Sequence, residues 1–465
     1  GKVGESSSIS YFGRIGYTFD DRYNIMVNFR ADAFDRSKLS KEARWGYFPS
    51  VSAGWTISNE RFMRDIDPKI ISFLKLRASY GVNGNISALG AFMYSSSMSV
   101  GDYYPMNGSL VSTVYPSDVL ANPDLKWETA RQFDVGVDAR FLNNRLTFGM
   151  DFYNKNTVDQ ILTLTPPLAT GTTSMAKNIG KVNNHGYEIS LGWAHRLNTG
   201  MHYYANANMS FARNKIIYMD ELPNKYSYMD QTGGPTERPT NVYKFMRLYQ
   251  YDDFTKGEND ELILNPSLPQ PSVKVYPGDA MYADLNGDNI VNSDDRMTTG
   301  YSKRPEYVFG LTTGFDYKGF NLSMQWSGAT HVSKVLQIDY RIPFTNAGKR
   351  GLLDHFYTQG WTEEHQEGAK YPRAAETSEK WNSETSTLWI RNASYVRLKT
   401  LTIGYTFTNK RFLRAIGAQS LGLSLNGYNL LTFSPLDIMD PENVGDNTGS
   451  YPLVKVYSVG VNLNF

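Results

Sequence analysis

The sequence lacks cysteine entirely: none occurs among its 465 residues. This absence excludes a disulfide framework, a thiolate metal site and a cysteine nucleophile. The sequence also has no apolar run of about 18 residues, which excludes transmembrane helices. Its formal net charge is only +1 at pH 7, so no surplus of positive charge argues for nucleic acid as a partner.

Motifs of catalysis are missing as well. The six histidines include no His-Glu-x-x-His pair, and no Gly-x-Ser-x-Gly nucleophile elbow occurs. His185, His195 and His202 lie at or near the ends of predicted strands, where a polar barrel residue is a simpler interpretation than a metal ligand. We therefore expect a protein that is not an enzyme.

What the sequence has in abundance is aromatic residues in alternating segments. It contains 32 Tyr and 24 Phe, yet its mean hydropathy is -0.44. In residues 320–327, for example, Phe, Leu, Met and Trp alternate with Asn, Ser, Gln and Ser. A period of two is that of a β-strand with one apolar and one polar face.

About thirteen segments of this kind follow one another along the chain, which predicts an all-β, antiparallel protein. They are joined alternately by tight turns and by much longer connections. The predicted strands lie near residues 8–19, 22–34, 47–58, 73–83, 129–142, 145–157, 185–196, 201–213, 306–317, 320–331, 393–407, 418–430 and 453–465.

Two architectures produce such alternation, a soluble β-sandwich and a transmembrane β-barrel. Sandwich strands are about five or six residues long and bury Val, Ile and Leu. The predicted strands here run for about ten residues or more, the length that crosses a bilayer at a tilt. Their polar faces carry Gly, Asn, Ser, Asp and Arg, and aromatic residues gather near their ends, as in an outer-membrane barrel. The sequence therefore favours a transmembrane antiparallel β-barrel with long extracellular loops.

One predicted strand departs from the pattern. Arg397 and Lys399 share the parity of Leu401 and Tyr405, which would place charge on the apolar face. A β-bulge, or an exit of the chain from the bilayer near Thr400, would each explain this departure. The sequence alone leaves both explanations open.

Six groups of residues carry a more specific signal, in a fixed order along the chain. They are Tyr11–Arg14, Arg44–Trp55 followed by Glu60, Leu74–Gly81 followed by Asn85, Asn122–Glu128, Pro277–Asp279 with Asp284–Asp288, and Tyr395–Tyr405. In these groups the sequence resembles the SusC-type TonB-dependent transporters of the Bacteroidetes outer membrane. The resemblance spans essentially all 465 residues.

This resemblance implies a barrel of about 22 strands with an N-terminal plug, of which the present chain supplies the C-terminal part. An odd number of predicted strands agrees, because bacterial single-chain barrels have an even number. We therefore expect the plug, the TonB box and roughly nine strands to precede residue 1. The resemblance also implies the TonB-ExbB-ExbD energy system and a SusD-like surface lipoprotein that acts as a lid.

A twelve-residue segment beginning at Asp284 fits a calcium-binding loop. Oxygen ligands at positions one, three and five are Asp284, Asn286 and Asp288, the carbonyl of Ile290 serves at position seven, and Asp295 stands at position twelve. Asn289 occupies position six, where Gly is usual; Asn enters the left-handed region more readily than most residues. The sequence thus predicts a structural Ca²⁺ ion, with a solvated acidic turn as the alternative.

Two long connections are rich in aromatic residues. Residues 214–305 contain Tyr218, Tyr226, Tyr228, Tyr243, Tyr249 and Tyr251 together with Phe245, and residues 332–392 contain Trp361, Trp381 and Trp389. Exposed rings bind sugars and peptide side chains, but Tyr and Trp are equally common inside packed loops. The sequence does not decide between the two roles.

The function expected from these features is active uptake of an oligosaccharide or a peptide across the outer membrane. The barrel is indicated by the alternation, whereas active transport is implied only by the family resemblance. Alternatives are a passive porin-type channel without a plug, an enzyme built on a barrel, and a surface adhesin.

Overall fold

A computed structural model describes residues 7–35, 37–344, 351–374, 380–408, 411–442 and 453–465. Long β-strands dominate these residues. They are β1 (Ser8–Phe19), β2 (Tyr23–Phe34), β3 (Trp45–Thr56), β4 (Ile71–Asn85), β5 (Glu128–Phe141), β6 (Leu146–Leu164), β7 (Ser174–Arg196), β8 (His202–Tyr218), β9 (Tyr307–Tyr317), β10 (Phe320–Thr330), β11 (Tyr395–Thr408), β12 (Ser420–Phe433) and β13 (Val456–Asn464).

The connections between these strands carry short elements that alternation does not reveal. The helices are Ile338–Arg341, Asp354–Gln359, Lys380–Ser383 and Arg411–Ala415. The short strands are Met98–Met106, Ser109–Pro116, Val119–Leu120, Val242–Tyr243, Phe245–Leu248, Phe254–Lys256, Leu262–Leu264, Gln270–Pro271, Ala280–Tyr282, Ile290–Val291, Arg296–Met297, Ser333–Val335 and Ile390–Asn392. Among the described residues, no helix is both long enough and apolar enough to cross a bilayer.

The chain divides into two compact units. The first contains residues 1–194 and 210–221, and the second contains residues 195–209 and 222–465. In the first unit β1 to β7 pair in sequence order, each antiparallel to the next. In the second unit β9 to β13 do the same. Together with β8, these strands confirm the thirteen that the sequence predicts, in the predicted order.

Strand register in both units pairs apolar residues with apolar residues. Between β9 and β10, Leu311 lies opposite Trp326, and the next pair is polar. Between β12 and β13, Leu425 lies opposite Val459, and these side chains are 58% and 75% exposed. An apolar face that remains so exposed on both partners is not the interior of a sandwich. It is the face that a barrel turns toward lipid.

The polar faces of the strands hold a contrasting set of contacts. Arg77 on β4 forms ion pairs with Asp138 on β5 at 2.7 Å and with Asp151 on β6 at 2.9 Å. Gly136 lies between these groups, where an added Cβ would stand 2.1 Å from Oδ1 of Asp151. The absence of a side chain at residue 136 is therefore what allows Arg77 to bridge three strands.

A β-bulge accounts for the irregular strand. In the β10–β11 ladder Leu398 pairs with Trp326 and Thr400 pairs with Gln325, so Lys399 is an extra residue without a partner position. Arg397 consequently lies opposite Ser327, on the polar face of the sheet. Of the two explanations left open by the sequence, the bulge is the one present, and it moves Arg397 away from the apolar face.

Strands β6, β7 and β8 extend beyond their predicted ends. β6 continues to Leu164 and β7 begins at Ser174, where the sequence predicted boundaries at 157 and 185. Near the start of this extension, Asn183 of β7 donates hydrogen bonds to the side-chain oxygens of Asn154 and Asn156 on β6, at 2.7 and 2.8 Å. Beyond that point apolar residues of β6 such as Ile161 and Leu162 fall on both parities and the pairing with β7 shifts register, so the alternation that marks the other strands is lost.

Asp35, directly after β2, gives the first testable prediction. Its carboxylate accepts hydrogen bonds from the backbone N–H groups of Ser7 and Ser37, both at 2.8 Å. Hydrogen bonds from Ser37, followed by that from the Ser7 backbone, lower the pKa of Asp35 from 3.8 to about 2. A carboxyl with a lowered pKa in the folded state stabilises that state above its unfolded pKa, and this contribution is lost as the pH falls.

We therefore expect wild-type protein to lose its stability advantage over Asp35→Asn as the pH falls from 3.8 toward about 2. The measurement is denaturant unfolding of both proteins in detergent across this interval. Asp21→Asn in the β1–β2 turn serves as the control. A constant difference between wild type and Asp35→Asn throughout the interval would contradict the assigned cause.

Candidate functional site

Two cavities are built from the connections of the second unit. The first cavity has a volume of about 610 Å³, and it lies where β9, β10 and β11 enter their long connections. Its charged lining consists of Glu237, Arg238, Lys303, Lys334, Arg341 and Glu442. The second cavity has a volume of about 820 Å³, and it is lined by residues such as Arg247, Gln250, Gln366 and Asp437. Both volumes fall in the range of small-ligand sites.

A buried network of ion pairs stabilises one wall of the first cavity. Arg397 is 2% exposed and pairs with Asp440 at 2.6 Å and with Glu442. Glu442 also accepts hydrogen bonds from Lys399 at 2.6 Å and from the Tyr395 hydroxyl at 2.8 Å. The bulge at Lys399 allows both cations to reach the same carboxylate. The connection after β12 is thus tied to the polar face of β11.

Arg341 occupies another wall of the first cavity and has a different environment. Its Nη1 donates to the carbonyl of Ser383 at 3.0 Å and to the hydroxyl of Thr385 at 3.1 Å. Its Nε is buried and has no hydrogen-bond partner among the described residues. Burial lowers the pKa of Arg341, but a guanidinium remains protonated in proteins. The hydrogen-bond partners of Arg341 are thus neutral, and the charge of the Glu384 carboxylate, which pairs with Arg296, acts on it without an ion pair.

The aromatic residues of the long connections are used mainly for packing. Trp361, Trp381 and Trp389 are all buried, the last completely. Tyr243 and Tyr249 belong to the same apolar cluster as Trp381, and Tyr226 and Tyr228 stack on each other. Tyr251 keeps 38% of its surface exposed, beside Trp361. The buried rings therefore pack inside the loops, whereas Tyr218 and Tyr251 remain exposed, and contact of these rings with a ligand stays a prediction.

The predicted calcium residues form one compact loop. Asp284 accepts hydrogen bonds from the backbone N–H groups of Gly287 and Asn289, both at 2.7 Å. Asp295 is buried and accepts from the Leu285 N–H at 2.7 Å. Asn289 has a φ of 64°, so it adopts the left-handed conformation expected at position six.

Asn286 and Asp288 lie next to each other in that loop, with the Asn286 amide donating to Asp288 at 3.0 Å. The N–H of Ile290 donates to the other oxygen of Asp288 at 2.9 Å. In the part of the chain that the structure describes, no group of three or more His, Cys, Asp or Glu side chains is placed to hold a metal ion. The calcium site, which also needs Asn286 and the Ile290 carbonyl, stays a prediction.

If this loop binds calcium, Ca²⁺ at 100 times its dissociation constant should stabilise the protein by about 2.7 kcal/mol, because it binds only the folded loop. Calorimetric titration of the purified protein with CaCl₂ measures the binding directly. Asp288→Ala should abolish the heat signal. Asp260→Asn is the control, because the Asp260 side chain is 85% exposed and pairs with Lys256, and Asn tolerates its φ of 62°. Absence of a signal from wild-type protein would favour a plain acidic turn.

Three histidines were expected to be polar barrel residues. Nδ1 of His185 lies 3.1 Å from the side-chain oxygen of Asn183, and Nδ1 of His202 lies 3.3 Å from Asp316. The ring of His195 packs edge-on against Tyr203. Each imidazole ring thus contacts a neighbouring side chain in its own unit, as expected for a polar residue of the barrel.

Comparison with known proteins decides the family. The family described as TonB dependent receptor-like, beta-barrel matches residues 2–430. The chain belongs to this family. Its fold is accordingly an outer-membrane β-barrel, and the family is one of receptors and transporters rather than enzymes.

Curated relatives of this TonB-dependent receptor barrel come from Bacteroidetes. TonB-dependent receptor P3 of Formosa agariphila is 28% identical over 100% of this chain and 46% of its own length. TonB-dependent receptor SusC of Bacteroides thetaiotaomicron is 26% identical over 98% of this chain and 44% of its own length. The chain thus spans about half the length of the curated relatives it matches.

Solved structures agree with this assignment. The RagAB peptide transporter superposes with a TM-score of 0.77 at 25% identity, over 100% of this chain and 48% of the other. The RagAB peptide importer in its "closed-closed" state gives a TM-score of 0.76 at the same identity, over 100% of this chain and 48% of the other. The resemblance to SusC-type proteins predicted from sequence motifs is confirmed.

Proposed function

We propose that this chain is the C-terminal part of the barrel of a SusC-like, TonB-dependent importer that takes up oligosaccharides or peptides. The observation that carries the proposal is the family match over residues 2–430, together with the likeness to the RagAB peptide importer. The strands have an exposed apolar face and a polar opposite face, and this arrangement supports an outer-membrane channel. No catalytic step is part of this function.

The energy source and the partners follow from the same family. The TonB-ExbB-ExbD system drives the import, and a SusD-like surface lipoprotein covers the outer opening. Sequence that corresponds to the remaining half of the relatives would supply the plug, the TonB box and the other strands. A Ca²⁺ ion at the loop of Asp284, Asp288 and Asp295 would brace one outer connection.

A passive porin is the main alternative function, and a surface adhesin is the second. A porin has no plug and works without TonB, whereas an adhesin need not admit any solute. Neither alternative is favoured by a specific contact in the described residues. Both remain useful as outcomes of the functional test.

The proposal is tested in the native bacterium with the complete gene. We expect deletion of the gene to abolish growth on at least one oligosaccharide or peptide source, and deletion of tonB to have the same effect. Purification of the native complex in detergent should recover a surface lipoprotein, with the bound substrate identified by mass spectrometry. Uptake that continues without TonB would point to the porin, and a complex that remains soluble without detergent would favour the adhesin.

A further inference from the structure

We propose that the first cavity binds a carboxylate-bearing part of the imported substrate and that Arg341 is the side chain that receives the carboxylate. This inference rests on the proposed import function, and it adds the chemical class of the substrate. The first cavity has the size and the mixed lining of a ligand site, with apolar surface from residues such as Val308, Val332 and Leu336.

The acidic residues of the first cavity are already neutralised. Glu237 pairs with Lys303 at 3.2 Å and with Arg304 at 2.6 Å. Glu442 pairs with Arg397 and with Lys399. Each of the two carboxylates therefore has two cationic partners, and neither has charge to spare for a cationic ligand.

Arg341, in contrast, lines the same cavity without an ion pair to a carboxylate of the described residues. Its Nη1 donates to a backbone carbonyl and a hydroxyl. Its Nε is buried and has no hydrogen-bond partner among the described residues, so a ligand in the cavity would meet the guanidinium through its Nη atoms. A guanidinium with spare donors in a partly apolar cavity is suited to a carboxylate.

Two ligand sources present this chemistry. One is a peptide, through its C-terminus or an acidic side chain, and the other is an oligosaccharide that contains uronic acid. A neutral oligosaccharide fits less well, because sugar rings stack on exposed aromatic faces, and among the described lining residues of the first cavity only Tyr395 is aromatic, with its hydroxyl bound to Glu442. The shared feature is the carboxylate, and the experiment separates the two sources.

The test uses the complete importer with its native partner chains, purified in detergent and titrated by calorimetry. The probes are a glutamate-containing tripeptide, its glutamine-containing and C-terminally amidated counterpart, an oligogalacturonate and the neutral oligosaccharide reduced at its carboxyl groups. We expect one acidic probe to bind about tenfold more tightly than its neutral counterpart. The member of the pair that shows this preference identifies the source.

Arg341→Gln should lower the affinity for the acidic probe to that for its neutral counterpart, and Arg341→Lys should retain part of the preference because it keeps the charge. Lys256→Gln is the matched control, because it makes the same charge change on an exposed residue outside the first cavity. Independently of any variant, a photoreactive form of the preferred acidic probe should label residues 332–341 of the native importer.

Equal affinity of wild type for acidic and neutral probes would overturn this inference while leaving the import function intact. A preference that survives Arg341→Gln in correctly folded protein, or labelling confined to other segments, would overturn it as well. If no probe of either kind binds and the native complex imports none of them, the proposed function fails and the inference fails with it.

Discussion

Arg397→Leu is expected to destabilise the barrel by about 3 kcal/mol or more, the usual cost of removing one member of a buried ion pair. Arg397 is 2% exposed and holds both Asp440 and Glu442. Without it, Asp440 loses its ion-pair partner, and Glu442 retains only Lys399. Denaturant unfolding in detergent measures the loss, and limited proteolysis should show cleavage in residues 434–442 that wild-type protein resists.

Lys399→Met provides the matched control for that result. Lys399 pairs with the same Glu442, but its side chain is 32% exposed, so its removal should cost about 1 kcal/mol or less. The ordering of the two variants is the test, because both remove one positive charge from the same network. Equal stability of the two variants would mean that burial of Arg397 does not determine the strength of this connection.

Leu425→Arg is expected to cost about 2–4 kcal/mol in a lipid bilayer, the penalty for a cation on the lipid face of a barrel near its midplane. Leu425 lies near the middle of β12, is 58% exposed, and has Ile403 and Val459 as its cross-strand neighbours. Exposed apolar groups on three adjacent strands form a continuous surface for hydrocarbon. Urea unfolding from lipid vesicles measures the penalty.

Ser424→Arg is a control that differs by a single residue position. Ser424 lies on the opposite, polar face, and its cross-strand neighbours are Gly404 and Gly460. Asn321 occupies the space beside Gly404, but beside Gly460 the nearest groups are Ser424 itself and Asn426, so a long side chain can extend over Gly460 and this substitution should cost much less than Leu425→Arg. A cost for Ser424→Arg that equals the cost for Leu425→Arg would contradict the assignment of the two faces.

The long strands could be predicted from the sequence because the lipid and the lumen impose opposite chemistry on alternate residues. Where a segment of strand does not face lipid on one side and water on the other, the alternation of apolar and polar residues is lost. The continuation of β6 beyond residue 157 illustrates this, because its apolar residues, such as Ile161 and Leu162, fall on both parities. The hairpin of Met98–Met106 and Ser109–Pro116 was not predicted for a related reason. Large apolar side chains, including Val100 and Tyr104, are exposed on both of its faces, so apolar and polar residues do not alternate along it.

The site was less predictable than the strands, because its contacts join residues that are distant in sequence. Arg397 could be recognised as unusual in the sequence because it interrupts the alternation. Its partners Asp440 and Glu442 could not be predicted, because they are 43 and 45 residues away. Arg341 carried no signal at all, because nothing in its local sequence indicates a cavity. The calcium residues, in contrast, form a local motif, and their loop could be identified from spacing alone.

The central claim is that alternate residues of each strand face hydrocarbon and water, and cysteine scanning of β12 tests it most directly. These 465 residues contain no cysteine, so a single cysteine introduced at each of positions 421–426 can carry a spin label in lipid vesicles. We predict that labels at Leu421, Leu423 and Leu425 are relaxed by oxygen from the lipid, and labels at Gly422, Ser424 and Asn426 by a water-soluble nickel chelate. Labels at the three leucines that neither reagent reaches would place those side chains in a dry protein interior and contradict the account.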